Sequence, residues 1–240
     1  RIIAHGFSRL GTQSARICSR VGNSKAMRVK ICGITRSKDV KAVADRGADA
    51  LGFVVGSPSS SRNLSLARAH ILMQNVPIFL AKVAVTSSQD PKAIFKICSR
   101  LKPDALQLHN YTVSMVRALS KSDERIQLIL ATPIHGKPSL EAARVASNYS
   151  DAVLADTPSS NAMGGTGRVH DWHLTAKIRN AIYPRPLILA GGLTPGNVKE
   201  AVRKVRPFAV DVSSGVEKRV GVKDHEKIRE FIANAKRELP

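Results

Sequence analysis

From residue 27 onward the chain alternates two hydrophobic rhythms. Short runs rich in β-branched and apolar residues read as strands at 28–32, 50–55, 78–85, 105–108, 126–131, 152–156, 187–190 and 209–212. Between them, apolar positions recur at three- and four-residue spacing. That rhythm predicts helices over 36–46, 65–75, 90–101, 112–121, 138–147, 172–181, 195–204 and 224–236. Thr35, Ser65 and Thr194 stand just before three of these helices, where a side-chain oxygen can cap free backbone N–H groups, and Pro195 follows the last at a first-turn position.

Strict strand-then-helix alternation implies parallel strands joined by right-handed crossovers. Eight such units close into a barrel with every strand paired, so the expected fold class is α/β, a (β/α)8 TIM barrel. A doubly wound open sheet would carry a G-x-G-x-x-G turn after its first strand; the turn here reads Cys32-Gly33-Ile34-Thr35. The length of 240 residues and 43% hydrophobic content suit one catalytic domain over 27–240.

Residues 1–26 differ from the rest: Arg1, Arg9, Arg16, Arg20 and Lys25 stand among small polar residues with no acid. They read as a disordered basic extension, with an organelle transit peptide as the lesser alternative. Apolar runs such as 126–130 and 186–190 fall far short of the roughly 20 residues that span a bilayer, so a soluble, cytoplasmic protein is expected. Cys18, Cys32 and Cys98 fit no zinc or redox spacing, which points to a reducing compartment and no metal. The net charge of +20 attracts anions. The basic residues are dispersed and aromatics make up only 4%, which disfavours nucleic acid. The expected partner is a small anionic molecule, with no membrane.

In this architecture chemistry sits where strands end. Gly191-Gly192 follows the seventh strand and leads into a helix, and Ser213-Ser214-Gly215 follows the eighth. Both loops can turn backbone N–H groups toward one phosphate, although glycines also serve tight turns alone. Cys32 ends the first strand beside Lys30, surroundings that can favour a thiolate; a small buried hydrophobe is the plainer alternative. Asp156 ends an apolar run, where a carboxyl group can keep its proton for general-acid work or simply brace a loop.

The ordered set of Lys30-Ile31-Cys32-Gly33-Ile34-Thr35, Gly47-Ala48-Asp49 with Gly52-Phe53, Ser61-Arg62, Gln107-Leu108-His109, Leu154-Ala155-Asp156-Thr157, Gly164-Gly165-Thr166-Gly167 with Asp171-Trp172, Leu189-Ala190-Gly191-Gly192-Leu193 with Asn197-Val198, and Asp211-Val212-Ser213-Ser214-Gly215-Val216-Glu217 resembles the phosphoribosylanthranilate isomerases of tryptophan biosynthesis. The resemblance implies a cofactor-free Amadori rearrangement of N-(5-phosphoribosyl)anthranilate by a monomer or homodimer. By the family pattern Asp156 is the general acid and Cys32 the general base. Arg62 meets the anthranilate carboxylate, Asp211 lies near the sugar hydroxyls, Gln107 and His109 line the site, and Gly191, Gly192, Ser213, Ser214 and Gly215 hold the phosphate. The sequence departs from that pattern at Asn110, Ala155 and Ala81-Lys82-Val83-Ala84-Val85, and its loop from 156 to 164 is slightly long. A related aldose–ketose isomerase of histidine biosynthesis would place an aspartate at position 32. A basic nucleic-acid-binding barrel is the alternative from another class.

Overall fold

The computed structural model describes residues 27–122, 126–157 and 169–237. The predicted extension 1–26 and the motif 164–167 lie outside the described residues. Eight parallel strands close in sequential order: β1 (Arg28–Ile31), β2 (Ala50–Val54), β3 (Ala81–Thr86), β4 (Ala105–Leu108), β5 (Gln127–Pro133), β6 (Ala152–Asp156), β7 (Leu187–Leu189) and β8 (Ala209–Val212). The helices that cross between them, and the last that follows β8, are α1 (Ser37–Asp45), α2 (Leu66–Gln74), α3 (Pro91–Leu101), α4 (Val113–Ser122), α5 (Pro138–Ser147), α6 (Trp172–Ala181), α7 (Val198–Val205) and α8 (His225–Lys236). A short hairpin, β9 (Glu217–Arg219) with β10 (Val222–Lys223), stands between β8 and α8. The eightfold alternation is therefore a closed (β/α)8 barrel. No helix among the described residues is long and apolar enough to cross a membrane.

Because successive strand residues face opposite sides, each strand splits its side chains between two cores. Ile31, Leu51, Phe53, Leu106, Leu108, Leu130 and Val210 face the helix ring and are fully or almost fully buried. At roughly 1.5–3 kcal/mol per large apolar side chain, this outer layer holds the barrel closed. The alternate positions fill the lumen with apolar residues of mixed size, among them Val54, Val83, Val85, Ile129, Ala131, Leu154, Ile188 and Ala209. At the strand-start end, the Arg28 guanidinium lies 4.4 Å from the centre of the Phe208 ring.

Three local expectations differ. The third strand begins at Ala81, because Phe79 takes a left-handed φ of 73° that no strand accommodates, and Ile78 and Phe79 are 83% and 96% exposed. Residue 36, not Thr35, precedes α1; the Thr35 hydroxyl instead donates to the Gly221 carbonyl at 2.5 Å, tying the first loop to the β9–β10 hairpin. Pro195 sits in a turn ahead of α7, which begins only at Val198. Ser65 does cap α2, accepting from Arg68 N at 3.2 Å.

Candidate active site

Lys30 on β1 and Cys32 just after its end are two residues apart, so both point into the lumen, and the Cys32 N–H continues the ladder by donating to Val212 O at 2.8 Å. Directly opposite in register is Asp211 on β8. The Lys30 ammonium donates to Asp211 Oδ2 at 2.8 Å, with both residues buried. Cys32 is accommodated because β2 carries a glycine beside it: a Cβ built on Gly52 would lie 2.6 Å from the sulfur. On β4 the Gln107 amide nitrogen stands 2.9 Å from His109 Nε2. Asp156 ends β6, where its carboxyl group feels the charges of both Asp211 and Lys30. The lumen thus brings together Cys32, Gln107, His109, Asp156 and Asp211, all five expected for the site, and adds Lys30.

The electrostatics separate their roles. Burial, reinforced by the Asp211 charge, raises Asp156 to about 6, so roughly a tenth of the molecules keep this proton at pH 7. Burial also pushes the Cys32 thiol up, and the nearby Lys30 ammonium offsets that only in part. The thiolate-favouring surroundings expected from sequence are therefore outweighed by desolvation in the free protein. His109 is pushed down by burial and by Lys30, which keeps its ring neutral at physiological pH. Two buried acceptors, Gln107 Oε1 and Asp211 Oδ1, have no hydrogen-bond partner.

Arg62 lies at the rim in the loop after β2, stretched over Gly33; a Cβ there would fall 2.5 Å from Arg62 Cδ and 2.9 Å from Ser213 Oγ. Its Nε and Nη2 donate to Glu217 Oε1 and Oε2 at 2.8 and 2.6 Å. Lys223 from β10 reaches the same carboxylate at 3.0 Å and donates to Ser213 O at 3.0 Å. The side edge of the Arg62 fork is thus already engaged, leaving its end, Nη1 and the outer proton of Nη2, for another anion.

The loops after β7 and β8 lie against one another. Gly191 and Gly192 have φ of 80° and 67°, and Gly191 packs so tightly on the loop after β6 that an added Cβ would lie 2.2 Å from Thr157 N. A Cβ on Gly215 would overlap the Leu193 carbonyl oxygen. Asn197 fixes the first loop by accepting from Thr194 N at 2.8 Å and donating to Gly192 O at 2.9 Å. The glycine pair leads into α7 through this Asn197-clamped turn, so the helix starts at Val198, three residues later than expected. Ser214–Val216 forms a single turn of 3-10 helix after Ser213.

Sequence reasoning gave Lys30 only as a neighbour that can favour the Cys32 thiolate, and passed over Glu217 and Lys223 as site residues. Lys30 was readable from the two-residue period it shares with Cys32. Lys223 carried no local signal, because only the hairpin's folding back brings it to Ser213. His170 was also missed: its Nδ1 lies 2.8 Å from Thr157 Oγ1, and burial lowers its pKa to about 4.

A closed barrel whose strand ends gather a carboxyl group of raised pKa, a thiol, a neutral imidazole and two glycine loops has the architecture of a (β/α)8 enzyme. The chain belongs to the N-(5'-phosphoribosyl)anthranilate isomerase family, whose sequence model matches residues 29–234. The isomerase of Methanothrix thermoacetophila is 42% identical over 206 residues, 85% of this chain and 96% of that protein. The crystal structure of phosphoribosyl anthranilate isomerase from Thermotoga maritima superposes with a TM-score of 0.78 at 38% identity, covering 87% of this chain and 98% of that one. A family structure in complex with reduced 1-(o-carboxyphenylamino)-1-deoxyribulose 5-phosphate superposes with a TM-score of 0.75 at 37% identity, with the same coverage.

Proposed function

We propose that this chain converts N-(5-phosphoribosyl)anthranilate to 1-(2-carboxyphenylamino)-1-deoxyribulose 5-phosphate, the Amadori step of tryptophan biosynthesis. The observation that carries the reading is the gathering of Cys32 and Asp156, from strands on different sides of the barrel, around one buried Lys30–Asp211 pair.

Ring opening breaks the bond between C1′ and the ring oxygen. The oxygen keeps the pair and takes the Asp156 proton, while the anilino nitrogen's lone pair forms the C1′=N bond. The resulting iminium acidifies C2′, and the Cys32 thiolate removes that proton. The C2′–H pair then forms C1′=C2′, and the imine pair returns to nitrogen. Loss of the C2′ hydroxyl proton and protonation at C1′ complete the aminoketose. No electrons are exchanged with an outside acceptor, and no cofactor is called for.

Asp156 is protonated in only a fraction of molecules near neutral pH, and Cys32 is ionised in fewer still. The reactive form is therefore a minor state with the acid protonated and the base free. The open end of the Arg62 fork suits the anthranilate carboxylate, and the phosphate fits between Gly191-Gly192 and Ser213-Ser214-Gly215. The unpartnered acceptors of Gln107 and Asp211 suit sugar hydroxyls, and His109 lines the same space. The working unit is a monomer or a homodimer in the cytoplasm. The test is to add the purified chain to phosphoribosylanthranilate and follow its fluorescence. Steady loss of the signal with formation of the aminoketose supports the reading; an unchanged signal overturns it.

A further inference from the structure

We propose that Lys30 is a positioning residue of the acid–base centre, a buried ammonium moored to Asp211 that presents one fixed positive charge to the Cys32 sulfur. The use of that charge rests on the isomerase reading above; the charge itself rests on geometry.

Lys30 is 4% exposed and Cys32 8%, and the surrounding lumen is apolar, with Val54, Leu154, Ile188 and Ala209 nearby. Ion pairs withdrawn from water in this way are rarely better for stability than well-packed apolar residues. Nor is this pair closed as a stabilising network would be, since Asp211 Oδ1 has no partner. Its place in the register explains it better: Lys30 is the side chain immediately below Cys32 on the same face of β1, and Asp211 pairs with it across the β1–β8 seam.

The charged groups that bear on Cys32 are Lys30 from β1, Asp211 from β8, Lys223 from β10 and Arg62 from the loop after β2. The last two are tied to Glu217, whose carboxylate they share. Lys30 is the strongest influence opposing the desolvation of the thiol, ahead of Lys223. It stays an ammonium, because Asp211 and Cys32 together outweigh its own burial. The same charge also draws Asp156 down against the push of Asp211, so one cation acts on both partners of the proton relay.

The test is peptide-resolved alkylation of Cys32 by iodoacetamide as a function of pH, using the full chain. Lys30→Met should raise the alkylation midpoint by one unit or more, which at pH 8 means about tenfold slower labelling. Lys30→Arg keeps the charge and should keep the midpoint within about half that shift. Lys30→Met leaves Asp211 buried without its counter-ion and can lose its fold for that reason. The double variant Lys30→Met/Asp211→Asn has no uncompensated charge and should fold. Its midpoint should still rise, by less, because the opposing Asp211 charge has gone too. Turnover should fall less steeply than labelling, since a rarer thiolate is a stronger base.

A folded single or double variant with an unmoved midpoint overturns the proposal. Should the native chain leave phosphoribosylanthranilate untouched while the midpoint shifts, the functional reading fails and the Lys30–Cys32 coupling stands. Should the native chain turn the substrate over while the midpoint stays put, the coupling fails and the functional reading stands.

Discussion

Two buried ion networks sit at the mouth of the barrel, and they are finished differently. At the rim, the Glu217 carboxylate receives Arg62 on both oxygens and Lys223 on one, and Lys223 spends a further proton on Ser213 O. In the lumen, Asp211 is met by Lys30 on one oxygen only, and Gln107 Oε1 on β4 is also unmatched. Leaving buried acceptors unpaired costs about 1–3 kcal/mol each, a cost that a scaffold interaction has no reason to carry. On the proposed function, the closed network fixes the shape of the rim and the open one is where substrate hydroxyls and protons would be handled. Damage in the lumen should therefore appear in turnover, and damage at the rim in substrate affinity.

The largest effect is expected from the acid and the base. General acid–base groups contribute about 10²–10⁴-fold each, so Cys32→Ala and Asp156→Asn should each lower kcat by that order while KM moves much less. Steady-state kinetics on the two variants checks this. A Cys32→Ala chain with near-native kcat would remove the lumen from the mechanism.

The pH profile sharpens the same contrast over about a hundredfold range. With Asp156 titrating at about 6 and Cys32 pushed above it, the working form needs the lower group protonated and the higher one free. Below pH 6 Asp156 is already protonated, and kcat/KM should fall tenfold per unit as thiolate disappears. From 6 up to the thiol value, gain of thiolate and loss of protonated Asp156 cancel, which gives a plateau. Asp156→Asn removes one half of that cancellation. Its residual kcat/KM should climb tenfold per unit between pH 6 and 8, where the native profile is flat. Substrate phosphate titrates identically in both chains and drops out of the comparison. A flat profile in the variant would show that Asp156 is not the proton donor.

At the rim the expected effects are smaller and of another kind. Gly192→Asp would set a negative charge beside the proposed phosphate position. Like-charge repulsion of about 1–4 kcal/mol at 4 Å should raise KM by roughly fivefold to several hundredfold with kcat largely kept. Gly192→Ala carries the strain of a side chain at φ 67° without the charge, and should raise KM much less. Equal effects from the two would mean that strain alone, rather than phosphate, accounts for the loss.

The same division governs what could be read before folding. The eight strands and most helices were legible because amphipathic rhythm is a local property repeated eight times. The misread positions are those where tertiary demands override it: Ile78 and Phe79 look like strand but lie exposed in a turn, and Pro195 looks like a helix start but belongs to the turn that Asn197 clamps. Cys32 and Asp156 were legible as strand-end residues, and Asp211 only through the family resemblance. The partnership of Arg62 with Glu217 was not, because the two are 155 residues apart in sequence and nothing local to either specifies the other.

That partnership supplies the smallest and most diagnostic prediction. Glu217→Gln keeps the size of the side chain but removes its charge and replaces one acceptor oxygen by a donor nitrogen. The new amide cannot accept from both nitrogens of the Arg62 fork and from Lys223, so one of these cations loses its anchor and Arg62 gains freedom over Gly33. If the rim network serves to aim the end of the guanidinium at the substrate carboxylate, KM should rise about fivefold to tenfold, with kcat within about threefold of native, because charge-assisted hydrogen bonds contribute about 1.5–3 kcal/mol and one of several is lost. The opposite sign is informative too. Glu217 now occupies the Nε and Nη2 edge; were that edge the one the substrate needs, the native carboxylate would be a competitor and the Gln variant would bind more tightly. A fall in KM would recast Glu217 as a gate on Arg62 instead of its support, while leaving the assignment of proton chemistry to the lumen intact.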